Sequence, residues 1–209
     1  MESIIDKSKE LFFKMINDYG SDPYNLSSHL EQAEKWVKFM LKKYLIVDKE
    51  ILMISLWLHD IGHYPIDKNI DHAIKGEMIA KEFLEKNNMN KNKIIKILHC
   101  IRAHRCKDIV PETIEAKIIA FSDSASHMTD TLYLAMAKKG SFDIKTILEK
   151  LERDYRDISI FPEMTQELKP LYESWKKLLE GKSKGACLHS RLRRLCACVF
   201  SLSIGAAAG

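Results

Sequence analysis

The run Ile51-Leu52-Met53-Ile54-Ser55-Leu56-Trp57-Leu58 is apolar on nearly every side of a helix, and such a helix belongs in the interior of a fold. It ends in His59 and Asp60, side by side. An unpaired carboxylate taken out of water is costly enough to shift its pKa until it is neutral, so something positive is required beside Asp60.

Helical periodicity dominates the rest of the chain. Eight glycines and five prolines in 209 residues are too few for the tight turns of an all-β domain, so the expected class is all-α. A first helix covers 3–19, with Ile4, Ile5, Phe12, Met15, Ile16 and Tyr19 facing in, and stops at Gly20 before Asp22-Pro23. A second runs from Ser27 to Tyr44 with Ser27 or Ser28 as cap. The apolar helix spans 48–60, capped by Asp48 and followed by Gly62. Asp71 caps a fourth helix to Asn87, and a fifth covers 91–105. Pro111 opens a sixth that reaches Lys138, Ser141 starts a seventh, and the last is kinked or restarted at Pro170 before Gly181. The expectation is one bundle of about eight helices over 1–181, with 182–209 an atypical C-terminal tail.

That tail holds five basic residues from Lys182 to Arg194 and no acid, and it accounts for the formal charge of +4; the body is net −1. A near-neutral body argues against a broad nucleic-acid-binding face. Three of the five cysteines also fall there, so the body has no disulfide framework. Cys196-Ala-Cys198 near His189 offers metal-binding thiolates but lacks a second pair, and the tail reads as an appended extension. No stretch is long and apolar enough to span a membrane, and MESIIDKSKE lacks the order of a signal peptide, so a cytoplasmic protein is expected.

Several helices carry polar groups on otherwise apolar stripes, which a core rejects unless they are satisfied. His29 shares a face with Ala33, Trp36 and Met40; His72 with Gly76, Ile79 and Phe83; His104 with Ile94, Ile97 and Ile101; Asp123 with Ala116, Ile119 and Ala120, and His127 follows one turn later. A single core histidine is ordinarily hydrogen-bonded structure. The set His29, His59, Asp60, His72, His104 and Asp123 is better explained by carboxylates neutralised by a divalent cation. His99 lies about 140° around the helix from His104, so only one of them can enter such a site, and His104 continues the stronger isoleucine stripe. His63, after the glycine turn, is either near the substrate or simply exposed.

The ordered residues, His29, then His59-Asp60 in LHDIGH, His72 in HAIKG, His104 in IRAH and Asp123 in FSDSASH, resemble the HD-domain superfamily of metal-dependent phosphohydrolases over about residues 25–130. The resemblance implies that His29, His59, Asp60 and Asp123 hold one metal, and that in two-metal members Asp60 bridges to a second ion held by His72 and His104. IRAH is similar to the fourth-histidine motif of enzymes that cleave symmetric dinucleoside polyphosphates and of cyclic-dinucleotide phosphodiesterases. The GYP signature of the latter is replaced after His104 by RCKDIVPE.

A divalent ion binds anionic phosphate oxygens and lowers the pKa of a bound water, which gives Asp60 and His63 catalytic roles in hydrolysis. Mixed imidazole and carboxylate ligands suit one or two ions of iron, manganese, cobalt, nickel or zinc better than calcium. Residues 86–107 contain seven cations and no acid; Arg102 and Arg105 flank His104 and, with Lys75, are candidates to bind phosphate. The expected activity is hydrolysis of a nucleotide or another small phosphate ester. Two alternatives stay open: a di-iron oxygenase using the same six ligands, and a non-catalytic nucleotide-binding module, although none of the six ligands is missing.

Overall fold

Side-chain caps mark where the helices begin. The computed structural model describes residues 2–67, 69–138 and 142–182, and within them the chain is helical and without strands. Asp48 accepts from the backbone N–H of Glu50 and Ile51 to start α3 (Lys49–Leu58), and Asp71 accepts from Ala73 N–H to start α4 (His72–Lys86). Both caps agree with the sequence. Gly20, at φ 81°, ends α1 (Ile4–Tyr19) in the left-handed conformation that glycine adopts without strain. Asn90 caps α5 (Lys91–Ala103).

The start of α2 (Leu26–Lys43) differs from the expectation. Neither Ser27 nor Ser28 caps it: Asp22, four residues ahead, accepts from Leu26 N–H at 2.8 Å and Ser27 N–H at 2.9 Å. A carboxylate at the positive end of a helix does the work of a hydroxyl more strongly. The sixth helix also differs. Thr113 rather than Pro111 opens α6 (Ile114–Thr129), its hydroxyl accepting from Ala116 N–H, and Asp130 then accepts from Leu132 N–H to start α7 (Leu132–Lys138). The expected long helix is therefore two, which makes nine among the described residues instead of about eight. Asp143 caps α8 (Ile144–Ile158); the start expected at Ser141 lies outside the described residues. No restart occurs at Pro170, since α9 runs without a break from Pro162 to Lys182. The tail cysteines Cys187, Cys196 and Cys198, which the sequence sets aside for want of a second pair, lie in 183–209, outside the described residues.

Residue contacts divide the chain into two compact units, the first ending at Asp123 and the second beginning at Ser124. In the first unit α3 packs against α1, α2 and α5, and every residue from Ile51 to Leu58 is buried. Trp57 is nearly inaccessible, with the rings of Phe12 and Phe13 6.1 and 5.9 Å away. Each such side chain contributes roughly 1.5–3 kcal/mol by leaving water, which is why a sequence this apolar must sit at the centre.

The second unit holds α7 against α8 and α8 against α9. Trp175 donates its indole N–H to the Met128 carbonyl at 2.8 Å and meets the Tyr133 ring at 5.2 Å. None of the helices among the described residues is long and apolar enough to cross a membrane.

Candidate metal centre

The end of α3 aims the centre. After Leu58 the backbone stays right-handed through His59, passes through Asp60 at φ −103°, ψ 7°, and tightens into a 3-10 turn over Ile61–His63. The expected helix to residue 60 thus stops two residues early. The turn packs on the start of α4, so closely that a Cβ on Gly62 would lie 2.0 Å from the His72 carbonyl oxygen and 2.5 Å from Gly76 N. Only glycine allows that approach, and it brings the α3 end and the His72 side chain to one place.

Two ligand groups result, sharing one residue. His29, His59, Asp60 and Asp123 form the first, and Asp60, His72 and His104 the second, each with its donor atoms within 4.8 Å of one another. Asp60 divides its oxygens between them. Its Oδ2 lies 3.6 Å from both His29 Nε2 and His59 Nε2, while its Oδ1 lies 3.5 Å from His72 Nε2 and 3.6 Å from His104 Nε2. Asp123 Oδ1 closes the first group, 3.0 Å from His29 Nε2 and 3.7 Å from His59 Nε2. His72 Nε2 and His104 Nε2 are 3.3 Å apart.

Backbone carbonyls orient two of the rings. His59 Nδ1 donates to Leu56 O at 2.8 Å and His104 Nδ1 to Ile101 O at 2.7 Å, which leaves the Nε2 lone pairs directed at Asp60. His59 Nε2 is buried with no hydrogen-bond partner. Around Asp60 the ion-pair neighbours among the described residues are five imidazoles and no lysine or arginine.

Electrostatics point the same way. Burial opposes ionisation of Asp60, yet His59, His63, His72 and His104 hold its carboxyl well below the usual range. Burial pushes His72 down to about 3 and His104 down to about 4, so they carry the charge that opposes protonation of Asp60 only in the acid range and are neutral donors near pH 7. His59 moves the other way: burial works against its charged form, but Asp60 and Asp123 raise its pKa. Two carboxylates thus face a set of mostly neutral imidazoles around an unpartnered buried nitrogen, and this donor set fits a divalent cation.

The remaining candidates fall around this centre in different ways. His63 belongs to neither ligand group, although its Nε2 is 3.6 Å from Asp60 Oδ1 and its ring stacks on His72 at 4.0 Å. Its side chain is 24% exposed and that of His72 22%, against 1% for His59 and 2% for His104, so the centre opens on the His63 and His72 side. His99 lies outside both groups and accepts from Glu112 N–H at 3.1 Å. His127 sits with Lys150 and Asp154 in the second unit.

The three expected phosphate-binding cations are engaged within the chain. Arg102 pairs with Glu77 at 3.1 Å and Asp108 at 2.6 Å, Arg105 pairs with Asp71, and Lys75 donates to the Pro65 carbonyl. Asp71 in turn is held down to about 2, burial opposing and Arg105 prevailing. The Arg102–Glu77 pair joins α5 to α4, and the Arg105–Asp71 pair joins the residue after His104 to the one before His72. Periodicity could not show this, because the acids lie in other elements. In the sequence Asp22 marks only a helix stop, and its double role in capping α2 and accepting from Tyr64 OH at 2.6 Å carries no local signature.

The HD domain family matches residues 26–128. Among curated proteins, a tRNA (cytidine(56)-2'-O)-methyltransferase of Picrophilus torridus is 33% identical over 112 residues, covering 48% of this chain and 31% of that protein. The chain therefore spans about a third of the length of this relative. No solved structure matches.

Proposed function

The chain belongs to the HD-domain superfamily, whose members include metal-dependent phosphohydrolases, and we propose that it hydrolyses a phosphate ester of a nucleotide or other small metabolite. The observation that carries this reading is the division of Asp60 between two ligand groups, Oδ2 toward His29 and His59, Oδ1 toward His72 and His104. Divalent ions bound there supply charge for the phosphate oxygens and a water of lowered pKa. His29, His59, Asp60 and Asp123 would hold one ion, and Asp60, His72 and His104 a second, more weakly, since that group has no carboxylate of its own.

Other residues orient and move protons. The Leu56 and Ile101 carbonyls fix the tautomers of His59 and His104. His63 lies on the open side within reach of Asp60 and moves a proton at Nε2 to or from the ester oxygen. Lys75, Arg102 and Arg105 meet the phosphate only by exchanging the partners they now hold; in the resting arrangement the two arginines set the spacing of α4 and α5. The methyl transfer named for the Picrophilus relative belongs to a protein of which under a third is matched, and a cluster of imidazoles and carboxylates supports hydrolysis instead.

The test is turnover of p-nitrophenyl phosphate and bis(p-nitrophenyl) phosphate with manganese, iron, cobalt, nickel or zinc. Activity is expected to vanish on chelation and return with at least one of these metals. Undiminished turnover after exhaustive chelation overturns the reading, and metal-dependent dioxygen consumption without phosphate ester cleavage replaces it with the oxygenase.

A further inference from the structure

Outside the ligand groups, a series of rings runs from the core of the first unit to the open edge of the metal centre. Tyr64 is fully buried; Tyr19 and Tyr24 pack against it with centroids 5.3 and 6.3 Å away. Tyr24 reaches on to His63 at 5.1 Å, and His63 stacks on His72 at 4.0 Å. Tyr24 is nevertheless 44% exposed, so the residue at this end of the series is open to solvent.

The segment that carries Tyr24 is held firmly. Asp22 accepts from Leu26 N–H, Ser27 N–H and the Ser27 hydroxyl at the start of α2, and from the hydroxyl of the buried Tyr64. The turn is thus tied at once to the helix that carries His29 and to the ring beneath Tyr24. A half-exposed aromatic face, already ordered and separated by one imidazole from a metal-ligand candidate, meets the requirements of a stacking surface, because little freedom remains to be lost on binding.

We propose that the exposed face of Tyr24 stacks the base of a nucleotide whose phosphate lies at the Asp60 centre, with the sugar passing over His63. The substrate class is then a nucleoside phosphate in preference to a base-free phosphate ester, an inference that rests on the hydrolase reading above. Stacking on one ring is tolerant of base identity, since every base has a π-face, so purine and pyrimidine nucleotides are both accepted.

The experiment compares adenosine 5′-monophosphate with ribose 5-phosphate on the full-length, manganese-loaded protein in wild type, Tyr24→Ala and Tyr24→Phe. Binding of the hydrolysis-resistant methylenephosphonates of adenosine and of ribose is measured alongside by calorimetry. The nucleotide is expected to show a KM roughly 5- to 100-fold below that of ribose 5-phosphate. That gap closes in Tyr24→Ala and persists in Tyr24→Phe. Equal constants for the two compounds in wild type, or a Tyr24→Ala change that weakens both alike, overturn the stacking face and leave hydrolysis standing. Absence of turnover with every ester overturns the hydrolase reading instead, and the phosphonate titrations then decide the stacking face by the same Tyr24 contrast. If Tyr24→Ala melts much earlier than wild type, Tyr24→Leu, which keeps apolar cover over Tyr64 without a π-face, replaces it.

Discussion

Both units bury a carboxylate beside histidine, and they satisfy it in opposite ways. In the second unit Asp154 accepts from Tyr133 OH at 2.6 Å and Lys150 Nζ at 3.0 Å, with His127 Nδ1 3.4 Å away. In the first, Asp60 is surrounded by imidazole nitrogens at 3.5–3.6 Å, and no ammonium, guanidinium or hydroxyl group of the described residues reaches it. Asp154 is closed by the chain itself. Asp60 has imidazoles as its ion-pair neighbours, a donor set that fits a cation. The residue types alone do not separate the two cases; the presence of Lys150 and Tyr133 in one and of clustered neutral imidazoles in the other does.

The largest expected effect breaks this contrast at Asp60. Asp60→Asn keeps the shape and removes the charge shared by both ligand groups, so metal affinity should fall by more than about 100-fold, beyond what loss of an outer-sphere partner costs. In wild type a metal held at about 100 times its Kd adds roughly 2.7 kcal/mol of stability, and that rise in melting temperature should be missing from Asp60→Asn. An unchanged metal-dependent rise would show that the cation does not sit at Asp60.

Asp154→Asn is the matching experiment in the second unit. It leaves Lys150 without its buried counter-charge, at a cost of roughly 3–5 kcal/mol, with metal content unchanged. Burial opposes ionisation of Asp154, but Lys150 and His127, with Tyr133, lower its pKa below the ordinary carboxyl value. Its stabilising contribution is therefore fully present above about pH 4, the value in the unfolded chain, and is lost as pH falls through the lower folded value. Melting curves from pH 7 to 3 should show an acid-dependent loss in wild type that is smaller in Asp154→Asn. Loss of metal in this variant would mean that Asp154 itself serves a metal.

The smallest effect belongs to His99→Ala. Its ring accepts one backbone N–H, from Glu112, so removal should cost about 0.5–1.5 kcal/mol and leave metal stoichiometry as in wild type. His104→Ala, by contrast, should bind about one equivalent less. Equal metal loss in the two variants would mean that both rings serve the centre.

Much of this was legible locally. Asp48, Asp71 and Gly20 are helix signals acting within a few residues of themselves, and they appear where the sequence puts them. The isoleucine stripe that favoured His104 over His99 is likewise a property of a single helix, since 3.6-residue periodicity decides which side chains share a face. The boundaries that differed have partners the local pattern does not weigh. Asp22 outcompetes Ser27 and Ser28 as a cap because it is a carboxylate also held by Tyr64, 42 residues away, and Asp130 interrupts a run whose apolar pattern continues.

From the sequence alone came an all-α chain with a buried helix ending in His59-Asp60, a set of inward histidines and aspartates, and a family that uses such a set. Tertiary structure decided which oxygen of Asp60 faces which imidazoles, that the 3-10 turn at Gly62 seats them against α4, and that Arg102 and Arg105 brace α4 and α5. It also brought Tyr24 beside His63. The division follows from range: dihedral preference and periodicity act over a few residues, whereas a carboxylate's partners are set by helices that meet only when the core packs.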